Sequence, residues 1–236
     1  MQFDQPPVVG RFQRRYKRFF ADVELEDGST LTAHCPNTGS LLGCKDEGLR
    51  AWLRDSNDEK RKLRFTWQAV EVGGTWVNVD TNLPNRVVRE AFEAGKVPGF
   101  EGLRSVRSEV NYGNRSRIDL LLEDQDGRSV YVEVKNTTLA EDGTARFPDA
   151  VTARGLKHLG ELEQVVREGH RALQLFFVSR DDVERFRPAY EIDPAYCAKL
   201  VEVASKGVEV RAFTALVTPA ELTLHRELPV DLSGAL

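Results

Sequence analysis

Apolar and polar residues alternate differently in the two parts of this chain. Through residue 82 the apolar positions recur in short runs punctuated by turn residues. Residues 15–25 alternate loosely, stop at Glu26-Asp27-Gly28 and are answered by residues 30–34. Runs at 49–53 and 63–72 follow, and Gly73-Gly74 reads as a tight hairpin turn into residues 75–79. About five strands at this spacing, with no long helix, predict a small barrel. From residue 80 the period lengthens. Pro84 opens a predicted helix whose apolar stripe is Val87, Val88, Ala91 and Phe92, ended by Gly95. The change of period divides the chain into expected domains of residues 1–82 and 83–236.

The second part reads as strands alternating with helices. Strand-like runs cover 106–113, 116–122 and 130–136, then a polar loop is expected over 136–146. Pro148-Asp149 is expected to open a helix with Asp149 as its cap, burying Leu156, Leu159, Leu162 and Val165 or Val166 and ending at Gly169. A buried strand at 171–178, a helix at 194–206 ended by Gly207, and strands at 208–217 and 222–228 complete the pattern. This order predicts an α/β domain with a mixed sheet.

Two of these strands carry charge where a buried strand should not. Asp119 lies in Ser116-Arg117-Ile118-Asp119-Leu120-Leu121-Leu122, and Glu133 and Lys135 lie in Val130-Tyr131-Val132-Glu133-Val134-Lys135-Asn136. An Asp126-Gly127 pair between them signals a hairpin turn. Alternation sets Val130, Val132 and Val134 on one face and Glu133 with Lys135 on the other. In the partner strand it groups Ile118, Leu120 and Leu122 and turns Asp119 away. Hairpin register then brings Asp119 beside Glu133. Buried charges are paired, neutralised or bound to metal. Two carboxylates suit a hard divalent cation, and an adjacent lysine can orient water or offset phosphoryl charge. Glu-x-Lys on a wet strand face is also an ordinary solvated pair, and the residues alone leave both readings open.

Composition narrows the function. The chain has 236 residues, 41% hydrophobic and 30% charged, with a net charge of −4, so it is not a generically basic nucleic-acid coat. Its cations are clustered instead. Arg11, Arg14, Arg15, Lys17 and Arg18 run without an acid among Phe12, Tyr16, Phe19 and Phe20, and Lys60, Arg61, Lys62 and Arg64 precede Phe65 and Trp67. Cations beside rings suit a groove that tracks a phosphate backbone, although the rings also read as barrel core. Pro36-Asn37-Thr38-Gly39-Ser40 reads first as a turn whose polar groups can meet a phosphate or sugar. Three cysteines, an odd number without Cys-x-x-Cys, suggest a reducing cytoplasm, and His34, Cys35 and Cys44 lack a fourth ligand at zinc-finger spacing. No stretch is apolar enough to span a bilayer and the N-terminus lacks a secretory pattern, so no membrane association is expected.

The Asp, then Glu-x-Lys, on a hairpin followed by a helix resembles the PD-(D/E)xK nuclease fold. Most of the chain further resembles the bacterial sugar fermentation stimulation protein A family, through Arg15-Tyr16-Lys17-Arg18-Phe19, His34-Cys35-Pro36-Asn37-Thr38-Gly39-Ser40, Ser116-Arg117-Ile118-Asp119, Tyr131-Val132-Glu133-Val134-Lys135-Asn136, Phe147-Pro148-Asp149-Ala150-Val151-Thr152 and Arg154-Gly155-Leu156-Lys157-His158-Leu159. The resemblance implies an OB-like β-barrel followed by a nuclease-like domain whose mixed sheet is flanked by helices. It implies largely sequence-independent DNA binding, with Arg14, Arg15, Lys17, Arg18, Lys60, Lys62 and Arg64 as the expected phosphate contacts. It also implies a Mg²⁺ or Mn²⁺ site formed by Asp119, Glu133 and the Val134 carbonyl, with Lys135 catalytic in phosphodiester cleavage. Glu90, Glu109, Thr152, Arg154 and Lys157 are expected site neighbours, and His158 is expected to be an ordinary surface residue. The alternative is a non-cleaving DNA-binding regulator of sugar, particularly maltose, metabolism.

Overall fold

The computed structural model describes residues 1–112 and 116–233. The first unit contains β1 (Val8–Tyr16), β2 (Phe20–Leu25), β3 (Thr30–His34), β4 (Arg50–Asp55), β5 (Phe65–Val72) and β6 (Thr75–Asn78). Strand β1 pairs with β2 and β4, β2 with β3, and β4 with β5. A parallel pairing of His34 with Thr66 joins β3 to β5 and closes a five-stranded OB barrel. Its core centres on Phe12 stacked against Trp67, ring centroids 4.7 Å apart, surrounded by Val23, Leu53 and Val70. The single run expected at 15–25 is in fact a hairpin, with Tyr16 opposite Phe20. Its turn uses Lys17 and Arg18 in left-handed conformation, at φ 47° and 64°, without a glycine or asparagine to announce it.

The second unit contains α1 (Pro84–Glu93), β7 (Ser105–Tyr112), β8 (Ser116–Glu123), β9 (Ser129–Thr137), β10 (Ala140–Glu141), β11 (Thr144–Phe147), α2 (Ala153–Arg167), β12 (Arg171–Val178), β13 (Arg185–Pro188), α3 (Pro194–Ser205), β14 (Glu209–Val217) and β15 (Leu222–Leu228). Gly113, at the end of the expected 106–113 run, lies outside the described residues. The main sheet has the order β15-β14-β12-β9-β8-β7. Strands β9, β12 and β14 are parallel, and antiparallel strands flank them on both sides. Helix α1 and the barrel cover one face: Val88, Phe92, Trp52 and Ala69 pack with Leu120, Val132, Val134, Leu173 and Leu175. Helices α2 and α3 cover the other, where Leu159, Leu162, Tyr196 and Leu200 pack with Leu121, Ala172 and Phe176. Burial on both faces explains why β12 reads as a nearly continuous apolar run.

Three further expectations fail for local reasons. Leu156, expected in the buried stripe of α2, is exposed, and Gly155 and His158 are the buried residues on either side of it. Part of the polar loop is a small sheet, β10-β11-β13, whose hairpin turns at Asp142-Gly143 with both residues left-handed. Asp149 does not cap α2; Thr152 does, its hydroxyl accepting from Gly155 N at 3.0 Å. Asp149 instead accepts from Ser40 Oγ at 2.9 Å and Leu41 N at 3.0 Å, fastening the 36–41 loop of the barrel to the second unit. Gly39 fits closely in that loop, where an added Cβ would lie 2.9 Å from Asn37 Oδ1 and 3.2 Å from Asp149 Oδ2.

Glu163 on α2 is enclosed by cations, with Lys199 Nζ at 2.6 Å, Lys206 Nζ at 2.8 Å and the Arg167 guanidinium also in contact. Hydrogen bonds from Lys199 and then Lys206 lower its pKa from 4.5 to about 2. A carboxylate depressed in the folded state stabilises the protein above its unfolded pKa. That stabilisation is lost as pH falls from about 4.5 towards 2. Glu163→Gln is therefore expected to melt below wild type at neutral pH, with the difference closing in acid. An unchanged gap across the acid range in thermal melts would contradict this.

Candidate active site

The β8–β9 ladder pairs Leu122 with Val130 and Leu120 with Val132, then stops. Asp119 and Glu133 stand one residue beyond, where the Asp119 carboxylate takes over the role of a ladder partner. Its Oδ2 accepts from Val134 N at 2.8 Å, while Oδ1 accepts from Asn85 Nδ2 of α1 at 2.8 Å. Across the sheet the β7–β8 ladder also skips Asp119, passing from Ser108–Leu120 to Val110–Ile118. Glu109, opposite, has φ 55°. This interruption corrects the expected face of Ile118, which packs with the α2–α3 cluster rather than with Leu120 and Leu122. The irregular backbone thus turns a carboxylate out of an otherwise apolar strand.

Glu133 is buried on the α2 side of the sheet. Its Oε1 meets Lys135 Nζ at 2.6 Å and is also in contact with His158 Nδ1. Lys135 Nζ lies 3.4 Å from the same imidazole nitrogen, and Arg154 Nε donates to His158 Nε2 at 3.4 Å. The other oxygen, Glu133 Oε2, is buried without a hydrogen-bond partner among the described residues. From β12, buried Gln174 donates to the Glu133 backbone carbonyl at 3.1 Å. A cavity of about 240 Å³ is lined by Asp119, Glu133, Val134, Lys135 and Asn136, by Thr81, Pro84 and Asn85, and by Arg154 and His158.

The two acids are driven apart electrostatically. Burial, and then the Glu133 charge, raise the Asp119 pKa from 3.8 to about 6. Burial also works against ionised Glu133, but hydrogen bonding to His158 and the charge of Lys135 outweigh it and hold that carboxyl below its ordinary value. Two like charges in a desolvated pocket, one with an orphaned oxygen, are relieved by a cation between them. Each Asp119 oxygen has one lone pair left after its present bond. The donors are all oxygens, as Mg²⁺ and Mn²⁺ prefer. The Asp119 and Glu133 carboxylates at this cavity are thus of the donor type that a hard divalent cation takes.

The remaining expected residues separate into those at the pocket and those elsewhere. A second cavity of about 400 Å³ shares Asp119, Arg154 and His158 with the first and adds Glu109, Ser116, Arg117 and Lys157. Glu109, Arg154 and Lys157 thus lie beside the acids. Thr152 lines neither cavity and acts as the α2 cap. Glu90 is away from the site too, its carboxylate held by the Met1 nitrogen at 2.8 Å and Arg86 at 2.9 Å. On the barrel, Arg14 pairs with Asp22 at 2.9 Å and Arg64 with Asp55 at 2.6 Å. Arg15 is committed to the Gly39 and Asn37 carbonyls, each at 2.8 Å. Lys17, Arg18, Lys60 and Lys62 are exposed, and none forms an ion pair among the described residues.

Sequence reasoning missed Asn85, Gln174 and above all His158. His158 is buried at 6% exposure, not on the surface. Its place four residues after Arg154 and one before buried Leu159 put it at the border of the apolar stripe, within the Arg154–Leu159 stretch that carries the family resemblance.

An OB barrel joined to a mixed six-stranded sheet flanked by helices is the class of protein that this fold defines. The chain belongs to the sugar fermentation stimulation protein family. The profile of the "SfsA N-terminal OB domain" matches residues 14–79, and that of the "Sugar fermentation stimulation protein RE domain" matches residues 82–221. A sugar fermentation stimulation protein homolog of Citrifermentans bemidjiense is 51% identical over 232 residues, covering 98% of this chain and 100% of the relative. One from Thioalkalivibrio sulfidiphilus is 52% identical over 237 residues, covering each chain fully. The solved structure of Pyrococcus furiosus SfsA in complex with Ca²⁺ is 29% identical and covers 98% of each chain, with a TM-score of 0.89.

Proposed function

We propose that this protein binds DNA with little sequence preference and cleaves phosphodiester bonds with Mg²⁺ or Mn²⁺ at Asp119, Glu133 and Lys135. The observation that carries this reading is the meeting of the three side chains at one cavity where β8 and β9 part. The Ca²⁺ in the Pyrococcus furiosus relative supports a hard divalent cation. Asp119, Glu133 and the Val134 carbonyl would hold it. When bound, such an ion lowers the pKa of a water and offsets charge on the phosphoryl oxygens. Asn85 and the Val134 amide fix the Asp119 carboxylate, and His158 restrains Glu133. Lys135, whose ammonium lies at the same cavity, would hold the attacking water and counter developing charge. Three free, buried cysteines support a reducing cytoplasmic setting.

Supercoiled plasmid incubated with Mn²⁺ should be converted to nicked circles. A second reading, a non-cleaving regulator of sugar metabolism, is favoured by the double engagement of Glu133 Oε1, which lets Lys135 and His158 stand in for a metal. Plasmid retained on the protein but never nicked, at any Mn²⁺ concentration, selects that reading.

The exposed barrel cations Lys17, Arg18, Lys60 and Lys62 supply the electrostatic grip, since phosphate contacts carry affinity rather than sequence information. Reversing all four charges should weaken DNA binding and flatten its salt dependence by about one log–log unit for each phosphate no longer neutralised. Unaltered affinity in a filter-binding titration removes the barrel from that role.

A further inference from the structure

We infer that the 400 Å³ cleft beside the catalytic pocket is a phosphate subsite in which Arg154 and Lys157 hold the phosphodiester next to the scissile one. The inference rests on the catalytic reading of Asp119 and Glu133. A carboxylate pair repels a polyanionic strand, so a cation is needed on the wall shared by the two cavities, and Arg154 occupies that wall.

Among the described residues the Arg154 guanidinium has no carboxylate partner. Its one polar contact is through Nε, to His158 Nε2 at 3.4 Å, which leaves both terminal nitrogens for a ligand. That fork matches two phosphate oxygens, as arginine forks generally do. One helical turn on, Lys157 Nζ lies 3.0 Å from Ser116 Oγ and 3.3 Å from Glu161 Oε1. Glu161 Oε1 in turn accepts from the Ser116 hydroxyl at 2.5 Å, so the exposed lysine is tethered to the cleft rim by both groups. The acid on the opposite wall, Glu109, is offset by Arg117 at 3.2 Å. The lining thus sets Arg117, Arg154 and Lys157 against Glu109 and Asp119, with Glu161 beside Lys157, so the cleft turns positive once a metal offsets Asp119, although the chain as a whole is acidic. Because His158 touches both Arg154 and Glu133, a strand phosphate on Arg154 and the scissile phosphate would be set by one rigid group on α2.

The test is fluorescence anisotropy of a fluorescein-labelled DNA oligonucleotide, titrated with Ca²⁺ present across a range of salt concentrations. Arg154→Ala and Lys157→Ala should each make the log–log salt slope shallower by about one and lower affinity at low salt by roughly an order of magnitude. Arg154→Lys should recover the slope. Wild-type slope and affinity in both alanine variants, at unchanged melting temperature, overturn the subsite and leave the catalytic reading standing. If Arg154 only braces His158, Arg154→Ala will weaken Mn²⁺ binding in calorimetry while the salt slope stays put, which also overturns it. No DNA binding by the wild type brings down the functional reading and the subsite together.

Discussion

Asp119→Asn is expected to lower Mn²⁺-dependent plasmid nicking by at least roughly a hundredfold, because loss of even outer-shell support at metal sites costs 10–100-fold. The replacement keeps the shape of the side chain: its oxygen can still accept from Val134 N, and its new NH2 can donate to Asn85 once the Asn85 amide turns its oxygen inward. What it removes is a negative charge that burial and Glu133 already disfavour. The variant should therefore melt at or above the wild-type temperature while losing activity, the trade expected of a strained functional site. DNA retention should hold or improve, since one repulsive charge next to the strand is gone. Lys135→Ala is expected to lose activity by roughly 10²–10⁴-fold, the usual range for a positioned proton-handling group. Its ammonium pairs with the Glu133 carboxylate at 2.6 Å, so a modest loss of stability should accompany it. Nicking by Asp119→Asn at the wild-type rate would disprove the assignment.

The largest stability loss is expected at Phe176. Its ring is fully buried and stacks on Phe186 at 4.1 Å, with Phe147 at 5.4 Å and Tyr196 beyond. Deleting a buried phenyl ring costs about 3–5 kcal/mol, from lost transfer energy and the cavity left behind. Phe176 is also the register partner of Lys135 across the parallel β9–β12 ladder, so the same core fixes the strand that carries the site. Phe176→Ala should lower the unfolding free energy from a denaturant titration by that amount, and Phe176→Leu by less. A change under about 1 kcal/mol in the alanine variant would mean the cluster collapses to fill the space.

The strands that build the site were legible because burial on both faces left Asp119, Glu133 and Lys135 as plain exceptions in apolar runs. The barrel was legible from turn spacing, yet its first hairpin was hidden. Lys17 and Arg18 adopt positive φ where glycine would have marked the turn. The Asp142-Gly143 turn carried the ordinary signal, but strands of two and four residues are too short for alternation to register. Asp149 looked like a helix cap because the cap rule is local, whereas its actual partners are more than a hundred residues away. Asn85 and His158 were missed for the same reason. Each is an ordinary polar residue on a helix until packing sets it against an acid from another strand.

Everything catalytic depends on whether the Asp119 and Glu133 carboxylates share a cation. Crystals soaked in Mn²⁺ and measured at a wavelength where manganese scatters anomalously test this directly. An anomalous peak between the two carboxylates, absent from Asp119→Asn crystals, is the predicted result. A soaked crystal in which Lys135 and His158 still fill the Glu133 contacts, with no peak at the pocket, would contradict it.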